Sequence, residues 1–191
     1  MYFHHPYNTT DLNERIVELP IIWDIVANSR GSILEVGNVL SHYYHVNHTV
    51  VDLHEEAGGV INADICTYNP KESFDLIVSI STLEHVGNLE RIRMVFENLL
   101  RLLSQGGQLW FTIPVNQTQY IADSYGAEMN DYIKSLNNYI NACFHLFAMR
   151  RVSLANKWEQ ADISNIWDCG YNVLYPNASG IIIGNISNFL I

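Results

Sequence analysis

The feature that most constrains this chain is a series of short apolar runs between residues 32 and 114, each with a glycine, a proline or a polar residue at or next to its end. The runs are Ser32-Ile33-Leu34-Glu35-Val36-Gly37, His48-Thr49-Val50-Val51-Asp52-Leu53, Gly59-Val60-Ile61-Asn62-Ala63-Asp64, Phe74-Asp75-Leu76-Ile77-Val78-Ser79-Ile80 and residues 108–113, before Pro114. Their β-branched content and continuous apolar centres suit strands covered on both faces, as in a parallel sheet. Between the fourth and fifth runs, residues 88–103 turn to helical periodicity. Ile92, Val95, Phe96, Leu99, Leu100 and Leu103 fall on one side, with Arg91, Arg93, Glu97 and Arg101 towards water, and Gly106-Gly107 reads as the stop. Strand alternating with helix implies right-handed crossovers and a parallel sheet.

The flanks differ from this core. Residues 13–28 carry a helical stripe of Ile16, Val17, Leu19, Ile22, Trp23 and Val26, with Asp11 or Asn13 available as N-cap and Pro20 expected to break the helix. Past Pro114 a polar, Tyr-rich stretch leads to an expected helix near residues 128–141. An expected strand at 145–152, an aromatic connection and a last strand at 180–186 follow, giving a terminal antiparallel pair. The architecture expected is α/β: a doubly wound, mostly parallel, Rossmann-like sheet of seven strands with an antiparallel C-terminal pair. A length of 191 residues suits one core, so residues 1–191 are expected to form one domain. Its parts are a helical segment at 1–30, a core at 31–114 and the remaining strands at 115–191.

The net charge of −10, with Arg91, Arg93, Arg101, Arg150 and Arg151 scattered, argues against nucleic acid, whose binding rests on phosphate neutralisation, and for a small molecule. No apolar run approaches bilayer-spanning length, and residues 1–10 lack a basic n-region and an apolar h-region. The expectation is a soluble, cytoplasmic protein without a membrane partner. Cys66, Cys143 and Cys169, odd in number and widely spaced, fit free thiols in a reducing compartment.

In an open parallel sheet the ligand crevice lies beyond the carboxyl ends of the strands. Here those ends are residues 35–41, 52–55, 64–65 and 79–85. The ordered series Ile33-Leu34-Glu35-Val36-Gly37, Val50-Val51-Asp52-Leu53, Asn62-Ala63-Asp64-Ile65, Ser79-Ile80-Ser81-Thr82-Leu83-Glu84-His85-Val86 and Gly106 to Pro114 resembles the class I S-adenosylmethionine-dependent methyltransferases, in particular their small type 11-like branch. The resemblance runs over roughly residues 31–114. It implies S-adenosylmethionine as cofactor and S-adenosylhomocysteine as product.

It further implies that Asp52, with Leu53 beside it, accepts the ribose hydroxyls, and that Asp64 accepts the adenine amino group with Ile65 alongside. Glu35 would order the loop of Gly37 and Asn38 and contact the methionyl end, and the backbone of Ser79 to Ser81 would face that same end. A glycine at 37 lets backbone approach a ligand closely. The chain departs from the family where Val39 and Ser41 replace expected glycines, so the loop is expected to pack differently or to narrow the site. Against these roles stand plain ones: Asp52 as a solvated acid, Asp64-Ile65 as a turn and a core side chain.

Methyl transfer from a sulfonium is lowered in barrier by positioning and desolvation, with a general base needed where the nucleophile holds a proton. Glu84 and His85 are the candidate catalytic residues, His85 the preferred base; the alternative is that they cap or open a helix. The acceptor site would draw on the amino-terminal segment, residues 115–128 and the aromatics Tyr120, Tyr125, Trp158, Trp167, Tyr171 and Tyr175. His42, His45 and His48 lack convergent partners for a metal, and none is expected. The function expected is methyl transfer to a small-molecule acceptor. The alternative is a catalytically degenerate nucleotide-binding or assembly protein, for which a homodimer is possible. A dinucleotide enzyme fits worst, since Gly37-Asn38-Val39-Leu40-Ser41-His42 fails the Gly-x-Gly-x-x-Gly pattern.

Overall fold

The computed structural model describes residues 2–115, 144–153, 156–163, 166, 178 and 180–187. Its strands are β1 (Ile33–Val36), β2 (Thr49–Asp52), β3 (Val60–Asn62), β4 (Phe74–Ile80), β5 (Leu103–Val115), β6 (Phe144–Ser153), β7 (Lys157–Ala161) and β8 (Gly180–Ser187). They form one sheet in the order β3-β2-β1-β4-β5-β8-β6-β7. The first five are parallel, whereas β8 runs antiparallel to both β5 and β6, and β7 antiparallel to β6. The α/β, mostly parallel architecture is the expected one. Among the described residues the sheet has eight strands where seven were expected, because Lys157–Ala161, read as connection, pairs with the β6 edge.

Side-chain alternation along the strands divides the core in two. Leu76, Val78 and Ile80 of β4 pack with Leu19, Ile22 and Val26 of α1 (Arg15–Asn28). Ile77 of β4 and Leu109, Phe111 and Ile113 of β5 pack with Ile92, Val95, Phe96 and Leu99 of α2 (Leu89–Leu102). Each such side chain, fully buried, contributes roughly 1.5–3 kcal/mol. The rings of Phe96 and Phe111 meet edge to face at 5.1 Å. Gly184 lies opposite Phe111 in β8, where an added Cβ would fall 2.1 Å from the ring.

α2 begins at Asn88, whose side chain accepts from the Arg91 amide, an ordinary N-cap bond. It ends before the glycine pair expected to stop it. The chain passes directly into β5, and Gly106-Gly107 lies in the irregular stretch between the Phe74–Leu103 and Leu76–Gln108 pairings, with Gly106 at φ 79°. α1 is also a correction, being continuous through Pro20. Proline has no N–H to offer the carbonyl four residues back, and the Ile16 carbonyl accepts instead from Phe3 N at 3.0 Å. The amino-terminal segment thereby replaces the lost helical bond.

The β1–β2 crossover contains only a single 3-10 turn, Leu40–His42. Leu40 is buried against α1. The expected helix at 128–141, with Tyr120, Tyr125, Cys143, Trp167, Cys169, Tyr171 and Tyr175, lies outside the described residues. Cys66 is buried and free.

Candidate active site

The carboxyl ends of β1 to β4 bring the expected residues to one side of the sheet, where carboxylates organise the loops. Glu35 is fully buried. Its Oε1 accepts from the amides of Val39 (2.9 Å) and Leu40 (2.7 Å), and its Oε2 lies 2.7 Å from His48 Nε2. Both oxygens are thus engaged within the protein, and the loop that lacks the two glycines is tied down by them. Asn38 donates from its side chain to Glu55 Oε1, and His42 Nε2 lies 3.5 Å from Glu55 Oε2. His42 and His48 serve different carboxylates.

Gly37 has φ 84°, which a side chain rarely adopts. A Cβ there would fall 2.2 Å from Thr82 Oγ1. Its missing side chain therefore admits Thr82 of the loop after β4, where the sequence suggested close approach to a ligand.

Asp52, the last residue of β2, accepts from His54 N and Glu55 N at Oδ1 and from Asn38 N at Oδ2. Burial pushes its carboxyl up, but these three amides outweigh that and hold it below the usual carboxylate range. Asp64 behaves similarly. The Arg91 guanidinium, at 2.7 Å from Oδ2, is the main reason its pKa is low, with the Cys66 amide on Oδ1 adding to it. Arg91 also donates to the Val86 carbonyl, tying the loop after β4 to the end of β3. Ile65 is a buried core side chain, the plainer of its two expected roles, and it also borders a cavity.

These ends enclose a cavity of about 90 Å³ bordered by Gly37, Asp52, Leu53, Asp64, Ile65 and His85, among others. Leu53 is 47% exposed, an apolar side chain offered to the opening. The volume is below the roughly 300–1,000 Å³ of ordinary ligand pockets, so by itself the cavity has room for only part of a nucleoside-sized ligand.

At the end of β4 the environment changes. Ser79 is buried and donates to the Val36 carbonyl, leaving its side chain no part in the crevice. Ser81, at φ 41°, donates from its amide to the Thr112 carbonyl and from Oγ to Glu18 Oε1 at 2.6 Å. Glu18 is fully buried, and Arg15 joins its Oε2 (3.3 Å) to the Ile80 carbonyl (3.1 Å). One helical turn away, Glu14 Oε2 accepts from Ala178 N.

Glu84 lies in the 3-10 turn Leu83–His85. Its side chain is 6% exposed and neither oxygen has a hydrogen-bond partner; His85 Nε2 is 3.7 Å from Oε1. Burial, reinforced by Glu18, raises its pKa to about 8, and burial with Glu18 raises that of Glu14 to about 7. His85 stands at the cavity edge with its pKa held low, first by the surrounding protein and then by the Arg15 charge. A lowered pKa favours the neutral imidazole that a proton acceptor requires.

Sequence reasoning missed Glu14, Arg15, Glu18, Thr82 and Arg91. Two acids four residues apart beside the apolar stripe of α1 were a signal for the first group, since such a spacing puts both on one helix face. Thr82 and Arg91 left none, because their roles depend on contacts with Gly37 and Asp64.

Residues 38–111 match the sequence profile of the family described as "Methyltransferase domain". Nodulation protein S of Rhizobium tropici is 41% identical over 49 residues, which are 26% of this chain and 21% of that protein. The chain thus matches only about a fifth of this curated relative's length. Among solved structures, the N-methyltransferase NodS of Bradyrhizobium japonicum WM9 in complex with S-adenosyl-L-homocysteine superposes with TM-score 0.58 at 14% identity, covering 93% of this chain and 89% of that one. A Thermotoga maritima S-adenosylmethionine-dependent methyltransferase, described as a possible histamine N-methyltransferase, gives 0.55 at 14% identity over 90% and 89%. At such identities the likeness is one of fold. The chain therefore has the class I S-adenosylmethionine-dependent methyltransferase fold, with a methyltransferase-domain sequence match over residues 38–111.

Proposed function

We propose that the crevice binds S-adenosylmethionine and that the chain transfers its methyl group to a small-molecule acceptor, leaving S-adenosylhomocysteine. The observation that carries this reading is the meeting of Gly37, Asp52, Leu53, Asp64, Ile65 and His85, from four successive strand ends, at one cavity. The donor set suits the adenosyl half of the cofactor. Asp52 Oδ2 receives one amide and keeps lone-pair capacity for a ribose hydroxyl. Leu53 and Ile65 offer apolar contact to a base, and Asp64 an acceptor for its amino group. The backbone of Gly37, Asn38, Ser79 and Ser81, ordered by Glu35, would face the methionyl end.

When bound, the cofactor supplies an electrophilic methyl group. The protein's own contribution is to orient the acceptor, exclude water and take up a proton at His85 Nε2. The net charge of −10 favours a small acceptor over nucleic acid, and a cytoplasmic setting accords with this reading. Among the described residues no helix is long and apolar enough to cross a membrane. Isothermal titration is expected to show heat with both S-adenosylmethionine and S-adenosylhomocysteine. Asp52→Asn is expected to weaken both at least tenfold, about 1.4 kcal/mol.

A second reading, a catalytically degenerate nucleotide-binding or assembly protein, draws on a different observation. The amides of residues 38–40 are taken by Asp52 and Glu35, and Asp64 by Arg91. A folded protein giving no heat with either compound establishes this reading in place of the first.

A further inference from the structure

Arg91 stands in the first turn of α2, yet its side chain serves the ends of two strands. Its amide is held by the Asn88 cap at 3.0 Å. From that fixed base the side chain turns back, Nε donating to the Val86 carbonyl at 2.7 Å and a terminal nitrogen to Asp64 Oδ2 at 2.7 Å. Gly87 leaves room for the stem, since a Cβ there would fall 3.0 Å from Arg91 Cδ. Cys66 completes the frame, its amide donating to Asp64 Oδ1 at 2.9 Å and its thiol to the Arg91 carbonyl at 3.8 Å. Asp64, Ile65, Val86 and Arg91 all border the cavity.

An ion pair whose side chains are 40% and 29% exposed adds little to folding. What it does set is the orientation of the carboxylate. A carboxylate has about four lone-pair sites. The Cys66 amide takes one on Oδ1 and the Arg91 guanidinium one on Oδ2, which fixes the plane of the group and leaves each oxygen able to accept once more. Arg91 therefore orients Asp64 without closing it to a ligand, and by holding its carboxyl below the usual range keeps it a group that accepts and does not donate.

We propose that Arg91 is the positioning residue for base selection: by holding Asp64 from the side of α2, it makes the crevice favour a purine with an exocyclic amino group over one with an oxo group at that place. The inference rests on the S-adenosylmethionine reading above. An amino group gives the fixed carboxylate an N–H, whereas an oxo group sets lone pairs against lone pairs and leaves both sides unpaired. A site built around a hydrogen bond rejects the analogue that cannot make it far more strongly than a pocket rejects a small change of size. Were Asp64 free to turn, an oxygen could move to water and the oxo base would be tolerated.

The test titrates the full chain at pH 7 with S-adenosylhomocysteine and with S-inosylhomocysteine, whose bases differ by amino against oxo. The unmodified protein is expected to bind the adenosyl compound at least about thirtyfold more tightly. Arg91→Ala is expected to cut that ratio at least about fivefold, because the carboxylate is then free to turn. Arg91→Lys, which keeps the charge without the planar fork, is expected to give a ratio between the two, and it decides if Arg91→Ala fails to fold. Asp64→Asn, whose amide can turn either a donor or an acceptor to the base, is expected to bring the two affinities within about threefold. Equal binding of both compounds by the unmodified protein overturns the proposal. So does an equal loss of both in Arg91→Ala, which is what a purely structural role would give, or the unmodified protein's ratio in Arg91→Lys or Asp64→Asn. Each of these results leaves S-adenosylhomocysteine bound and the methyl-transfer reading standing. Binding of neither compound by the folded, unmodified protein removes both.

Discussion

The loop after β1 and the loop after β4 each bury a glutamate, and they treat it in opposite ways. Glu35 is surrounded by donors: two loop amides on one oxygen and His48 on the other. Neither Glu84 oxygen has a hydrogen-bond partner, and the imidazole of its chain neighbour His85 stands 3.7 Å from Oε1. Burial is common to both, so burial does not set the role. The supply of hydrogen-bond donors does, because a satisfied buried carboxylate fixes a conformation, while an unsatisfied one holds a proton and an unmet demand for a donor.

The largest expected effect breaks the satisfied member. Glu35→Ala strands the amides of Val39 and Leu40 and removes the partner of His48, and is expected to lower unfolding free energy by about 4 kcal/mol. Urea denaturation measures it, and a loss as small as that of an ordinary surface substitution would sink the account of the loop.

The next sharpens the contrast through pH. The folded pKa of Glu84, about 8, lies above the value near 4.3 of an unfolded glutamate. Its stabilising share is therefore complete below the unfolded value and falls away as pH rises through about 8. Glu14, raised to about 7, acts in the same direction. The protein is expected to lose stability between about pH 4.5 and 8. Glu84→Gln is expected to flatten part of that slope, gaining about 3 kcal/mol relative to the parent at pH 9. Parallel denaturation curves for the two proteins across this range would count against a buried, protonated Glu84.

The two loops also touch. Gly37→Ala places a Cβ against Thr82 at a positive φ and is expected to cost about 2 kcal/mol. Adding Thr82→Ala should recover the steric part and leave the backbone part, which a double-mutant cycle measures. The smallest effect concerns the residue that fixes the far end of the β4 loop. Asn88→Ala removes the cap of α2 and is expected to cost about 1 kcal/mol in thermal denaturation, without altering the pH slope that belongs to Glu84.

Some of this was legible beforehand. The runs at residues 32–37, 48–53, 59–64, 74–80 and 108–113 stand as β1 to β5, because a strand buried on both faces writes itself as a continuous apolar run. The amphipathic stripe of α2 was legible for the analogous reason. β7 was not, since Lys157–Ala161 alternates with charge and pairs only because β6 offers an edge. The continuity of α1 through Pro20 was hidden likewise, depending on an amide from Phe3, thirteen positions upstream of the carbonyl it satisfies.

The sequence by itself determined the sheet core, the strand ends and so the side of the molecule where chemistry belongs, because periodicity and strand-terminal polar residues are local properties. Only the tertiary structure decided what the residues at those ends do. It gave Gly37 to Thr82, Asp64 to Arg91 and both oxygens of Glu35 to the protein, and it left Glu84 unpaired beside two acids from a helix far away in the chain. Donors and acceptors are assigned by proximity in space, and one-dimensional spacing carries that information only within a turn or a strand.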